Sequence, residues 1–303
     1  MEVLVNPGGP SAVRSDDPAA AGDTVRGDRD LWDEVFASQN LVTALKRVER
    51  NRGAAGVDGV ETHELRDWCR QHWVTTRAAL DAGTYRPSPV RQVMIPKPDG
   101  GQRKLGVPTV LDRLIQQAIA QVLSPVFDPG FVPVSYGFRP GKSAHDAVKV
   151  ARLVIEQGYR WVVEVDLDAF FDRVNHDILI SRVARQVKDK RLLKLIRAYL
   201  EAGIMVDGVR QRAGGGTPQG SPLSPLLSNI MLDDFDQEFW GRGHRFVRYA
   251  DDIRVFVKSK RAAERVLEQS TRLLEQRLKL KVNVAKSVIA PAATAVLLGY
   301  GFY

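Results

Sequence analysis

The chain is nearly devoid of cysteine: among 303 residues only Cys69 carries a thiol. A lone thiol excludes a disulfide framework and a Cys-ligated zinc site. It fits a reducing compartment. Long hydrophobic runs are missing too. No apolar stretch approaches the ~20 residues that cross a bilayer, and the N-terminus lacks the pattern of a secretory signal. A cytoplasmic protein without a membrane partner is therefore expected. There is no internal repeat. Acid is in deficit, with 36 Asp and Glu against 44 Lys and Arg, a net charge of +8 and a pI near 9.6. A basic surplus in a globular chain points to a polyanion, nucleic acid first.

What is present is enough for a large core, since 44% of the residues are hydrophobic. The length suits one large domain or two lobes. Residues 1–28, rich in Gly, Pro, Ala, Ser and Asp, read as a disordered leader. Order is expected from LWDEVFASQNLVTALKRVERN, whose apolar residues recur at helical spacing. A Gly-rich loop, GAAGVDGVE, follows. Residues 62–83 read as a helix with Leu65, Trp68, Trp73 and Leu80 on its buried side. PSPVRQVMIPKPDGGQRKLGVPT gives two strands around a PDGG turn. VLDRLIQQAIAQVLSPVF gives an amphipathic helix stopped near Pro125. A basic loop, SYGFRPGKS, precedes a helix around HDAVKVARLVIEQG. A strand, WVVEVDLD, leads into helices over about 176–188 and 190–202. Ser221 and Pro222 form a helix start, an N-cap followed by proline, and Leu223, Leu226, Leu227, Ile230 and Met231 give that helix its stripe. A hairpin, a helix over 261–278 and short strands complete an α+β chain.

Two groups of acids stand out. In RFVRYADDIRVFVKS, hydrophobic and β-branched residues flank Tyr249-Ala250-Asp251-Asp252, so the reading is strand, tight turn, strand with two carboxylates at the tip. Alone, these four residues read most simply as a solvated turn. In Trp161 to Asp168, Val163, Val165 and Leu167 alternate onto one face and Glu164, Asp166 and Asp168 onto the other. Asp166 lies where the strand gives way. If the two strands are neighbours, Asp166 and Asp251 can share divalent cations. Hard carboxylate oxygens suit Mg²⁺, and two such ions are the arrangement for in-line phosphoryl transfer.

Other features fit nucleotide chemistry. Lys97 and Arg103 flank the PDGG turn and could clamp a triphosphate. Gln219 sits in the loop TPQGSP after Gly214-Gly215-Gly216, where a backbone can approach closely. Phe170 and Phe171 lie beside the acid strand, and a rigid ring there leaves no room for a 2′-hydroxyl. Lys286, in VNVAKS, could reach phosphates. The stretch 182–197, together with Arg113, Arg139 and Lys142, could contact a nucleic-acid backbone. Each is also readable as a solvated cation.

Taken in order, AGVDGVE, IPKPDGGQRKLGVPTVLDRLIQQ, SYGFRPGKSAHDA, VDLDAFFD, GTPQGSPLSPLLSNIMLDDFD, RYADDIRVFV, VNVAKS and LLGYGF resemble the reverse transcriptases encoded by bacterial group II introns, also called maturases. The resemblance covers about residues 30–303. It implies the fingers and palm of a right-handed polymerase, with residues 29–303 as one interleaved domain and the palm mainly at 160–180 and 215–303. It implies Asp166, Asp251 and Asp252 as catalytic metal ligands for two Mg²⁺ ions, with Mn²⁺ as a substitute. It places Lys97, Arg103, Gln219 and Lys286 on the dNTP and makes Phe171 the ribose-discriminating ring. Leu298, Gly299 and Tyr300 become the primer grip. The implied partners are an RNA template, a DNA or RNA primer, dNTPs and intron RNA. The N-terminal helix and loop at 30–60 match an extension that contacts template RNA.

Family members continue past this point into a helical thumb; the resemblance stops short of one, whether it is naturally absent, carried on another chain or removed. Splicing and processivity are therefore not implied. The alternatives to an RNA-directed DNA polymerase are a non-catalytic RNA-binding splicing cofactor and a defence-linked or CRISPR-associated reverse transcriptase. The sequence carries no reading of oligomeric state.

Overall fold

The computed structural model describes residues 30–96, 100–206, 209–211 and 220–302, with backbone alone at residue 103 and at 209–211. The leader at 1–28, Lys97, Gln219 and Gly214-Gly215-Gly216 lie outside the described residues. Three helices come first: α1 (Leu31–Phe36), α2 (Ser38–Asn51) and α3 (Leu65–Asp81). The expected hairpin follows as β1 (Val90–Pro96) and β2 (Gln102–Val107). Then come α4 (Val110–Phe127), α5 (Ala144–Glu156) and β3 (Trp161–Val165). α6 (Phe170–Arg173), α7 (His176–Gln186) and α8 (Lys190–Glu201) lead to β4 (Ile204–Val206) and β5 (Val209–Gln211). The last part is α9 (Ser224–Gly241), β6 (Arg245–Tyr249), β7 (Asp252–Val257), α10 (Lys260–Arg272), β8 (Val288–Pro291), β9 (Val296–Leu297) and β10 (Tyr300–Gly301). Among these helices none is long and apolar enough to cross a membrane.

Two four-stranded sheets organise the molecule. One has the order β2-β1-β4-β5, with β1 antiparallel to β2 and parallel to β4. The other has the order β6-β7-β3-β8 and is antiparallel throughout. The class is α+β, as expected, and the second sheet carries the YADD hairpin. β3 is rich in β-branched residues because it is a central strand: Val162, Val163 and Val165 are all buried.

α9 is buried on nearly every side, from Leu226 through Phe239. Only a helix enclosed by other elements reads that way. Its buried polar residues must then find partners, and Asn229, Asp234 and Asp236 all do. This helix starts one turn later than expected. Ser221-Pro222 is not its cap; the helix begins at Ser224 with Pro225 behind it. Ser221 is instead buried and donates its hydroxyl to Gln116 Oε1 on α4, which takes it out of capping. α4 has the expected bounds and ends two residues past Pro125, at Phe127. A proline in the last turn forfeits one backbone bond, to Gln121, and little else. The helix expected over 261–278 is α-helical to Arg272 and closes in a single π turn at Leu273–Arg277.

Candidate active site

Register places the acids. Tyr249 pairs with Asp252 across the β6–β7 hairpin, leaving Ala250 and Asp251 as its two-residue tip. β3 runs antiparallel to β7 with Val165 opposite Ile253. One step further along both strands sets Asp166 opposite Asp252. One step back sets Glu164 opposite Arg254, and the two form an ion pair at 3.2 Å. Arg254 also grips the Asp252 carboxylate. Burial pushes the Asp252 carboxyl above its ordinary range. Arg254 opposes that rise, and the charges of Asp251, Glu164 and Asp166 add to it. Four carboxylates thus share one electrostatic neighbourhood with one guanidinium among them. Arg254 was not singled out from sequence, although its place two residues past Asp252 puts it on the same strand face.

Both acid-bearing corners are backbone-strained. Ala169, just after Asp168, and Ala250 hold left-handed conformations, with φ of 48° and 57°. A non-glycine residue gives up about 1–2 kcal/mol there, so each corner must be held from outside. The first corner is held by the VNVAKS segment. Asn283 N donates to the Asp166 carbonyl at 2.8 Å, and Asp166 N donates to Ser287 Oγ at 3.1 Å. This brings Lys286, exposed on the same turn, beside the acids. Asp168 turns away to an ion pair with Arg173 at 3.0 Å.

The YADD corner is held by Arg248, whose side chain has no exposed surface. Its Nη1 donates to the Ala250 carbonyl at 2.7 Å and to Asn229 Oδ1 at 2.9 Å. Its Nε donates to both oxygens of Asp236, at 2.8 and 2.9 Å. Asn229 in turn donates to the Gly137 carbonyl at 2.9 Å. The SYGF loop also pairs with the strand itself, through Tyr136 N to the Arg248 carbonyl at 2.8 Å. Gly137 cannot be another residue: a Cβ there would lie 2.2 Å from Ala250 N. The tip is thus clamped between α9 and this loop. Sequence reasoning missed Arg248, Asp236, Asn229 and Gly137.

The remaining expected residues divide. Phe170 is a core residue at 3% exposure, packed edge-on against Phe171 with centroids 5.2 Å apart. It has no face free for a sugar, and only the half-buried Phe171 is available for that role. Arg103 lies on β2, paired with Ile95. Gly220, next to Gln219 in sequence, sits so close to Leu105 and Gly106 of β2 that a Cβ would meet Leu105 Cδ1 at 2.8 Å. Leu298 and Gly299 form the tip of the β9–β10 hairpin, both with positive φ, and Tyr300 leans on His145, Oη to Nε2 at 3.1 Å.

The expected backbone contacts fare differently. Arg113 is buried and donates Nη2 to the Ala54 carbonyl at 2.5 Å, so it ties down the Gly-rich loop. Arg139 holds Asp128 at 2.7 Å and the carbonyls of Val132 and Ser135, at 6% side-chain exposure. Lys142 bonds the Pro133 carbonyl at 2.9 Å. In the 182–197 stretch, Arg182 and Arg185 pair with Asp234, Arg191 with Asp30 and Arg197 with Asp177. Each of these cations thus has a partner within the protein. The SYGFRPGKS loop instead presents Phe138, 57% exposed and 6.4 Å centroid to centroid from Tyr249.

The donor set fits a magnesium ion. Among the described residues no three His, Cys, Asp or Glu side chains converge on one point. Mg²⁺ does not ask for that: it keeps several waters and takes one or two carboxylates plus substrate oxygens. Asp166 opposite Asp252, with Asp251 adjoining, supplies this.

A family model described as Reverse transcriptase (RNA-dependent DNA polymerase) matches residues 95–302. The chain belongs to the reverse transcriptase family. Protein YkfC of Escherichia coli (strain K12) is 35% identical over 289 residues, which cover 82% of this chain and 76% of that protein. Group II intron-encoded protein LtrA of Lactococcus lactis subsp. cremoris is 41% identical over 160 residues, 52% of this chain and 26% of LtrA. Among solved structures, a chain of a partial Cas6-RT-Cas1–Cas2 complex is 27% identical with a TM-score of 0.51, over 82% of this chain and 43% of that one. Telomerase from Candida tropicalis, at 15% identity, shares the fold with a TM-score of 0.53. The chain therefore spans about three quarters of YkfC and about a quarter of LtrA.

Proposed function

We propose that the chain is an RNA-directed DNA polymerase of group II intron type, which adds dNTPs to a primer 3′ end on an RNA template. The observation that carries this is the register that sets Asp166 opposite Asp252 with Asp251 at the adjoining tip. Bound Mg²⁺, or Mn²⁺ in its place, would supply a lowered pKa for the primer hydroxyl and charge neutralisation at the transferred phosphoryl group. The chain's own residues do the rest. Asp166, Asp251 and Asp252 hold the ions. Arg248 fixes the tip that carries Asp251. Phe171 packs against the incoming sugar and excludes a 2′-hydroxyl. Lys97, Arg103 and Lys286 meet the triphosphate, and Gln219 lies between nucleotide and template. Leu298, Gly299 and Tyr300 hold the primer strand. Phe138 offers a face on which a template base stacks.

LtrA, at 41% identity, favours intron RNA as the cognate partner and a maturase role beside polymerisation. The Cas6-RT-Cas1–Cas2 likeness favours a second reading, a CRISPR-associated reverse transcriptase. The experiment that tests the common chemistry is primer extension on RNA and DNA templates, with dNTPs against NTPs. RNA-templated, dNTP-selective, Mg²⁺-dependent extension is expected, and it drops to background in Asp251→Ala. Extension that survives that change sinks the assignment.

A further inference from the structure

At the end of the YADD hairpin away from the acids lies a cleft of about 410 Å³, lined among others by Tyr159, His244, Arg245, Lys258, Arg265 and Gln269. It forms where the start of β6 and the end of β7 meet the flank of α10. No Asp or Glu is among its lining residues. Every charged group in it is cationic or, for His244, able to become so. Among the described residues Arg245, Lys258 and Arg265 form no ion pair. This sets them apart from the arginines of α7 and α8, all four of which are spent on carboxylates. The neighbouring carboxylate of Glu238 is occupied by Arg242 at 2.5 Å and Arg277 at 3.5 Å.

Exposed cations alone would read as a solvated face. Two buried atoms decide against that. Arg245 Nε and Gln269 Nε2 are both shielded from solvent, both belong to lining residues of this one cleft, and neither has a hydrogen-bond partner among the described residues. A buried donor without an acceptor costs about as much as a lost hydrogen bond, so both side chains gain by turning toward an acceptor that enters the cleft. Lys258 is already placed, its ammonium 5.3 Å above the Tyr159 ring, which fixes its direction without neutralising it. An acceptor with several oxygens and negative charge answers all of these groups together: a guanidinium fork, an ammonium and an amide N–H are the donor set of a phosphate site.

We propose that this cleft binds a phosphate group, and that its source is the backbone of an RNA strand held about 13 Å along β6 from the acid tip, four strand steps away. The RNA source rests on the polymerase reading above; the phosphate site does not.

The test is RNA binding as a function of salt. In Arg245→Gln/Lys258→Gln/Arg265→Gln, the slope of log K against log salt for a single-stranded RNA should flatten by about 2, three contacts at about 0.7 each, between about 50 and 200 mM salt. Extension on a minimal primer–template, too short to reach the cleft, should be unchanged. Lys258→Glu/Arg265→Glu touches only exposed side chains and guards against a folding defect; it should flatten the slope in the same direction. A parallel arm titrates inorganic phosphate while following the His244 imidazole by NMR. A phosphate-dependent shift that the triple variant loses, with RNA slopes unchanged, retains the phosphate site and overturns the RNA source. Unchanged slopes with no such shift overturn the proposal. Failure of the unsubstituted protein to extend any primer would instead sink the polymerase reading, and this cleft's binding of RNA would remain measurable on its own.

Discussion

A guanidinium with no exposed surface, Arg248, sits immediately before the acid tip. Taking it out of water is costly, and its bonds to Asp236, Asn229 and Ala250 offset that cost. Removing one partner of a buried pair strands the other, typically at about 3–5 kcal/mol, whereas replacing both by apolar groups of similar volume is often neutral. Arg248→Met should therefore lose about 3–5 kcal/mol in urea unfolding, and Arg248→Met/Asp236→Leu should recover most of it. Activity should not return with stability, because the Ala250 carbonyl has lost its donor and the left-handed tip its restraint. A double variant as stable and as active as the unsubstituted protein would remove Arg248 from its positioning role. Phe171 carries a second expectation at this scale. Phe171→Ala should lower the preference for dNTPs over NTPs by on the order of 10²-fold, the range a shaped pocket supplies, with competing nucleotides as the readout. The positions of the aspartates were legible because the flanking strands alternate clearly enough to put Asp166 at a strand end and Asp251 at a hairpin tip. Arg248 was not, since in RFVRY it falls on the same strand face as Phe246, and nothing local marks a charge there as buried and paired. Its burial is set by Asp236, on another element.

At the scale of elements, α9 divides what sequence can and cannot say. Its apolar stripe from Leu223 to Met231 was visible, but not that its other side is enclosed as well. The start was misplaced because SPLSPLL carries the same Ser-Pro signal twice, three residues apart. Only the bond from Ser221 to Gln116 decides between them. The same enclosure makes α9 pH-sensitive. Burial pushes the Asp233 carboxyl up to about 6; the Gln237 amide lowers it, and the charge of Asp236 raises it further. The folded state therefore holds this proton more tightly than the unfolded chain, whose carboxyl titrates near 3.8. Stability should fall as pH rises from about 4 to about 6 and then level off. Asp233→Asn removes the ionisation. Its unfolding free energy at pH 7, relative to pH 4, should exceed that of the unsubstituted protein by about 1 kcal/mol, discounted from the full shift because the residue is only partly buried. Parallel pH profiles of the two proteins would sink this account.

Across the whole molecule, the surplus of +8 pointed to a polyanion, but which cations face it was not readable from a charge run. Basic residues at 182–197 look like a nucleic-acid stripe, yet most are pinned to carboxylates that are distant in sequence, such as Asp234 and Asp30. Charge is a property of composition, whereas pairing is a property of the assembled fold. The acid corner is the converse case. Asp166 and Asp251 are far apart in the chain and meet only when β3 pairs with β7. An unfolded chain cannot offer the same ligands to a divalent ion, so ligation should stabilise the fold by RT ln(1 + [Mg²⁺]/Kd), about 1.4 kcal/mol at ten times Kd. In thermal melts that corresponds to a rise of roughly 2–4 °C. Asp251→Asn should melt higher than the unsubstituted protein without Mg²⁺, since one like charge near Asp252 is gone, and should gain little when Mg²⁺ is added. Ca²⁺, another hard cation for oxygen ligands, should also raise the melting temperature, while monovalent salt at equal ionic strength should not. If the unsubstituted protein responds to Mg²⁺ no more than Asp251→Asn does, the carboxylates repel one another for some purpose other than holding a metal.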